Sequence, residues 1–291
     1  MFQKLLIATE LSDGLDRLAQ LVPSLAAGGI RELVFVCAIP WQEGQIPRPD
    51  QARLAFAQSR LAVAQEKAPP DCKVHLVIET GKPVDLIARA ATEHQSQAIM
   101  LGTPMRTLLE ERLFGSTTIG LSQRLRLPLI VMRPHLLSAF TLEELDLRCR
   151  HLFRHLLIPF DGSPPSQSLV KQIAERLKSG GRGSVETCTL FRVVDSGGRR
   201  GVLPTDAIAQ AEQSLAPVQA ELETLGLQVR TDARQGNPVL EILKISQEQD
   251  ISALAVSSSR AGTVWELSVQ SVCGELLRRS WHPVIFFSSK S

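Results

Sequence analysis

The sequence predicts an α/β chain of two tandem doubly wound domains, each with a mostly parallel five-stranded sheet flanked by helices. Three observations carry this. Short apolar runs alternate with segments whose apolar residues keep helical spacing. The same order of elements occurs twice along the 291 residues. The register of that recurrence also holds almost constant. Lys4–Asp13 (KLLIATELSD) matches His155–Pro164 (HLLIPFDGSP), 151 positions on. Glu79–Ala91 matches Arg234–Ser246, Gln97–Leu101 matches Ser252–Val256, and Leu127–Pro134 matches His282–Ser289, each 155 positions on. Chance similarity does not hold register over four separated segments. The copies are read as 1–134 and 152–291, with 135–151 as a partly helical linker.

In copy one, Leu5–Ala8 has the continuous apolar character of a central strand covered on both faces. Ser12 or Asp13 is placed to cap a helix through Leu18, Leu21, Val22 and Leu25 that ends near Gly28-Gly29. Leu33–Ile39 is a second strand, and the alanine-rich Asp50–Glu66 a helix that Pro69-Pro70 stops. Val74, Leu76 and Ile78 alternate as a third strand, Val84–His94 is helical, and Ala98–Leu101 is a fourth strand. A helix from Gly115 precedes the last strand, Leu129–Met132. The linker has Thr141 as an N-cap with Glu144 three residues on, a capping-box spacing, and is apolar enough to pack on a domain. Copy two has strands at Leu156–Pro159, Val185–Phe191, Val229–Thr231, Leu254–Val256 and Val284–Phe287. A long helix from about Thr205 to Leu225 contains Pro217, which is expected to kink or divide it.

Composition narrows the function classes. Hydrophobic residues make up 44% and charged residues 21%, the balance of a globular protein with two cores. A net charge of +2 gives no footprint for nucleic acid. No apolar run is long enough to span a bilayer, and the start MFQKLLIATELSD lacks a secretory core, so the chain is expected in the cytoplasm without a membrane partner. Cys37, Cys72, Cys149, Cys188 and Cys273 are dispersed and read as buried thiols. The six histidines lack close metal-ligand spacing, and no metal site is expected.

A ligand in an open parallel sheet sits beyond the carboxyl ends of its strands. In copy one that place is formed by Thr9-Glu10-Leu11-Ser12 after strand one, Cys37-Ala38-Ile39-Pro40 at strand two and Gly102-Thr103-Pro104 after strand four. Gly115-Ser116-Thr117-Thr118 begins the next helix, whose free amides and hydroxyls suit an anion. The plainer reading is that Gly102 ends a strand while Ser116 or Thr117 caps a helix.

The ordered pieces LLIATE, GKPVDLI, GTPM, GS and LPLIVMRP, answered by LLIPFDGSP, GNPVLEI, SSSR, QS and HPVIFF, resemble a tandem UspA-like universal stress protein over nearly the whole length. The resemblance implies an adenine-nucleotide site, for ATP or AMP with magnesium. An acidic residue ending strand one meets the base and ribose, and a Gly-x-x-Gly, nine residues, Gly-Ser set wraps the phosphates. Carried over to copy one, the binding residues are Glu10, Ala38, Gly102, Gly115, Ser116 and Thr117. Glu10 stands where the family has aspartate, and Met105 replaces the middle glycine. Copy two keeps Asp161 and Ser163 but has Ser257, Arg260 and Gln270 at the glycine positions. No Walker lysine or Gly-x-Ser-x-Gly motif is present, and no catalytic residue is assigned.

Three readings follow. The first is a non-enzymatic stress-response or signalling protein that senses an adenine nucleotide through its N-terminal domain. The second is a nucleotide-independent scaffold or interaction module, and the third a very slow ATPase. The apolar last strands, Leu129–Met132 and Val284–Phe287, need covering, which intramolecular pairing of the copies supplies. Homodimerisation and a further protein partner are open expectations.

Overall fold

The computed structural model describes residues 1–41, 48–102, 116–180, 184–195, 206–258 and 271–288. The chain parts into two compact units between Arg150 and His151.

In the first unit, strands β1 (Lys4–Ala8), β2 (Glu32–Ile39), β3 (Lys73–Thr80), β4 (Ala98–Gly102) and β5 (Leu129–Met132) follow the spatial order β3-β2-β1-β4-β5. Every pair is parallel: Lys4 lies against Glu32, Leu5 against Ala98, Glu32 against Lys73 and Ile99 against Leu129. Leu5, Leu6 and Ile7 are fully buried, as a central strand covered on both faces requires. β1 has β2 on one side and β4 on the other, so the chain reverses its direction of winding at β1. The C-terminal ends of β1 and β4 therefore flank the switch point where such sheets hold ligands.

The segment after β1 departs from expectation. A 3-10 helix, Leu15–Leu21, runs into a short α1, Val22–Ala27, where one α-helix was predicted. Pro23 lies in the first turn of α1, a position that requires no backbone donor. In a continuous helix its ring would clash with the carbonyl four residues back, so the preceding turns tighten instead. α2 (Gln51–Glu66) starts where Asp50 Oδ1 accepts the Arg53 amide at 3.0 Å. α3 (Pro83–Glu93) ends at His94, and Gln95 takes φ 52° so that the Ser96 amide reaches back to the Ala91 carbonyl. α4 is Ser116–Arg124.

The linker forms α5 (Pro134–Ala139) and α6 (Leu142–Arg150) and packs on the first unit. Its predicted capping box is present: the Glu144 amide donates to Thr141 Oγ1 at 3.3 Å, and the Thr141 amide to Glu144 Oε2 at 2.7 Å. Arg17 donates to the Leu137 and Phe140 carbonyls, and Ser24 to Asp146. A Cβ on Gly28 would lie 2.7 Å from the Cys149 carbonyl oxygen, so this glycine permits the close approach of α6 to the end of α1.

The second unit repeats the scheme. β6 (His155–Pro159), β7 (Thr187–Val194), β8 (Gln228–Gln235), β9 (Ala253–Ser258) and β10 (Val284–Ser288) take the order β8-β7-β6-β9-β10, with parallel pairs. Its helices are α7 (Pro164–Gly180), α8 (Ala207–Glu223), α9 (Pro238–Glu248) and α10 (Val272–Arg279). α8 runs through Pro217 without dividing, at the cost of the helical bond that Pro217 cannot donate to the Gln213 carbonyl. Among the described residues no helix is long and apolar enough to cross a membrane. Cys37, Cys72, Cys149 and Cys188 are buried free thiols, and Cys273 is half-buried.

Candidate functional site

The first crevice is organised by Asp13, which is almost fully buried. Its Oδ1 accepts the Thr9 hydroxyl at 2.7 Å and the Leu15 amide at 3.0 Å, and its Oδ2 accepts the Glu10 amide at 3.1 Å. The Leu11 amide donates to Thr9 Oγ1, and Leu11 takes φ 63°. One carboxylate thus ties the turn after β1 to the start of the 3-10 helix. It does not cap a long α-helix; Gly14, at φ 76°, stands before the 3-10 helix.

Gly102, the last residue of β4, faces this carboxylate. A Cβ there would lie 3.0 Å from Asp13 Cβ and 3.3 Å from Asp13 Oδ2. The glycine that sequence pattern assigns to phosphate approach is therefore backed by a buried acid.

Glu10 is exposed at the mouth. Local desolvation, then the Asp13 charge, pushes its carboxyl above the ordinary range. Burial likewise pushes Asp13 up, against the pull of its three hydrogen bonds. Asp16, also buried, is paired with Arg60. Among the described residues no basic side chain pairs with Glu10 or Asp13. The Cys37 thiol beneath them is pushed up to about 11 by burial and then by Asp13, Glu10 and Asp16, so it stays protonated. The crevice has an anionic wall.

The predicted residues are distributed as follows. Glu10 and Gly102 come together around Asp13. Ala38 lies within β2 opposite Glu79, one residue before the strand ends. Ser116 is the first residue of α4, and Thr117 is half-buried on the same helix. Gly115, Met105 and the side chain of Ser116 lie outside the described residues. Sequence reading placed Asp13 at a cap and missed it as the pivot. The available signal was Thr9 four residues before it, a spacing that lets a hydroxyl and a carboxylate meet across a turn.

The second crevice is built differently. Asp161 is exposed, and its Oδ1 accepts the Ser163 amide at 2.9 Å. Burial acts to raise its pKa, but hydrogen bonds from Ser163 and Ser166 bring it below the ordinary value. Gly162, at φ 81°, has open space around it. Ser257, at the first glycine position, donates to the Pro165 carbonyl at 2.8 Å and so ties the end of β9 to the start of α7. Ser271 caps α10 by accepting the Gly274 amide at 2.9 Å. Arg260 and Gln270 lie outside the described residues.

No curated protein sequence matches the chain significantly. A universal stress protein from Archaeoglobus fulgidus DSM 4304 is similar in structure over 99% of both chains, at 16% identity and a TM-score of 0.66. A putative universal stress protein from Pseudomonas aeruginosa UCBPP-PA14 matches 99% of this chain and 93% of its own, at 14% identity and a TM-score of 0.55. At such identities these likenesses concern the fold. The sequence profile of the Universal stress protein family matches residues 1–133 and again 152–288. Two matched copies spanning nearly the whole length place the chain in the universal stress protein family.

Proposed function

We propose that this protein is a non-enzymatic stress-response or signalling module whose N-terminal crevice takes an adenine nucleotide, ATP or AMP, as its magnesium complex. The observation that carries the reading is the Asp13 carboxylate set against Gly102, with Glu10 at the mouth. A bare phosphate beside Gly102 meets that carboxylate. At about 4 Å and an effective dielectric near 20, one such pair of unit charges repels by about 4 kcal/mol. A divalent cation held between the Asp13 carboxylate and the phosphates turns that repulsion into attraction. Gly102, Gly115, Ser116 and Thr117 are assigned to the phosphate end of this site, Glu10 to its base-and-ribose end, and Ala38 to its wall. The second crevice is assigned no nucleotide, because Ser257 spends its hydroxyl on the loop and three glycine positions carry side chains. Two domains, 1–134 and 152–291, in a cytoplasmic protein complete the proposal.

Calorimetric titration of the full chain with ATP, in magnesium and again in EDTA, tests it. Saturable heat only with magnesium, abolished by Gly102→Val, is expected. Equal binding in EDTA overturns the magnesium role. No heat in either buffer favours the nucleotide-independent scaffold reading.

A further inference from the structure

At the opposite end of the first sheet, three side chains far apart in sequence converge. Glu32 opens β2, His75 is the third residue of β3, and His94 ends α3. Parallel pairing sets Glu32 against Lys73 and Val34 against His75, while the turn after α3 returns the chain to the same edge. Glu32 divides its carboxylate: Oε2 meets Lys4 Nζ at 3.3 Å, and Oε1 faces both imidazoles. His75 Nε2 is 3.6 Å from Oε1, and His94 Nδ1 is 3.8 Å from it. The two rings lie 4.4 Å apart between centroids, tilted by 40°. The three ligand atoms all fall within 4.8 Å of one another, and all three residues are half-buried.

We propose that Glu32, His75 and His94 form a binding site for one divalent zinc-class ion, with water completing its coordination. Zinc bonds of about 2.0–2.2 Å in a tetrahedron put neighbouring ligand atoms about 3.4 Å apart. Both nitrogen-to-oxygen separations come within a few tenths of an ångström of that edge. The third separation, within 4.8 Å, is adjusted by turning the His75 ring, whose side chain is 40% exposed. Two imidazoles and one carboxylate favour zinc over magnesium or calcium, which prefer oxygen shells. Lys4 holds the outer carboxylate oxygen, so Oε1 is turned toward the metal.

The duplication supplies an internal contrast. Strand pairing makes Thr187 the counterpart of Glu32 and Arg230 the counterpart of His75, since Thr187 lies against Gln228 and Thr189 against Arg230. Gln249, the residue after α9, takes the place of His94. There His155 Nε2, Thr189 Oγ1 and Gln249 Oε1 make a neutral hydrogen-bonded chain of 2.9 Å contacts. Among the described residues the second copy gathers no such trio of metal-ligating atoms, so one ion per chain is expected.

The test is calorimetric titration of the EDTA-stripped full chain with zinc chloride in magnesium-containing buffer, repeated on variants. One zinc per chain is expected. His75→Ala and His94→Gln should each weaken it by more than the roughly 10–100-fold that losing an outer-shell partner costs. His94→Gln copies the residue the second copy tolerates at this place, so it keeps the fold if His75→Ala does not. Cys72→Ser, a change at the nearby buried thiol, should bind as the unmodified chain does. Cobalt substitution should give ligand-field bands without thiolate charge transfer. Unchanged affinity in both histidine variants, a thiolate-to-cobalt band, or no zinc binding at all would each overturn the site.

Discussion

Asp13 shows how much one buried carboxylate can set. It fixes the turn after β1, starts the 3-10 helix and gives the crevice its charge. That charge is held at a cost, since the raised pKa values of Asp13 and Glu10 mean the folded chain binds protons there more tightly than the unfolded chain does. The sign follows from linkage. Between the ordinary carboxylate value and the raised one, the folded state carries more protons, so these two groups add stability as pH falls. Asp161 acts the other way, because its depressed pKa supports the fold above the ordinary value and loses that support on acidification. Asp13→Asn should therefore lower the pKa of Glu10 toward its ordinary value, as read by carbon-detected NMR titration of the glutamate carboxyl. A Glu10 pKa that does not move would mean Asp13 exerts no charge on the mouth of the crevice.

At the scale of elements, the linker is the clearest case of packing set by a missing side chain. Gly28 lets the Cys149 and Arg150 carbonyls come so near that a methyl group would stand 2.7 and 3.0 Å from them. Backbone oxygens cannot rotate away as a side-chain tip can. Gly28→Ala should push α6 off and cost about 1–3 kcal/mol, the usual range for overpacking. Denaturant unfolding would measure the loss, and an unchanged midpoint would show that α6 yields freely. Sequence made much of this level legible. Apolar runs marked β1 and β4, Pro69-Pro70 marked the end of α2, and the Thr141–Glu144 spacing marked the start of α6. Local patterns failed where two signals competed. The apolar spacing of Leu18, Leu21 and Leu25 suggested one helix, yet Pro23 divides the segment, whereas Pro217 leaves α8 whole. The difference lies in context. α8 carries a run of turns on both sides of its proline, while Pro23 stands at the first turn of a helix only six residues long. The Glu32–His75–His94 cluster was invisible for another reason: sheet register, not chain spacing, brings it together.

For the molecule as a whole, duplication freed each copy to spend the same positions differently. The first copy gathers acids around Gly102 and imidazoles at the far end of its sheet; the second ties Ser257 to the Pro165 carbonyl and fills the far end with a threonine–glutamine chain. Within the first copy the two proposed sites lie at opposite ends of the same strands. β2 runs from Glu32 beside one to Cys37 and Ala38 near the other, so at about 3.3 Å per residue they stand well over 10 Å apart. No described residue belongs to both sets. Sites this far apart with no shared partner add independently to within about 0.5 kcal/mol, or about twofold in affinity. The double variant His75→Ala/His94→Ala should therefore bind magnesium–ATP within about twofold of the unmodified chain, measured by the same calorimetry. A larger change would mean that the central strands carry strain between their ends, and that the first copy works as one coupled device with two inputs.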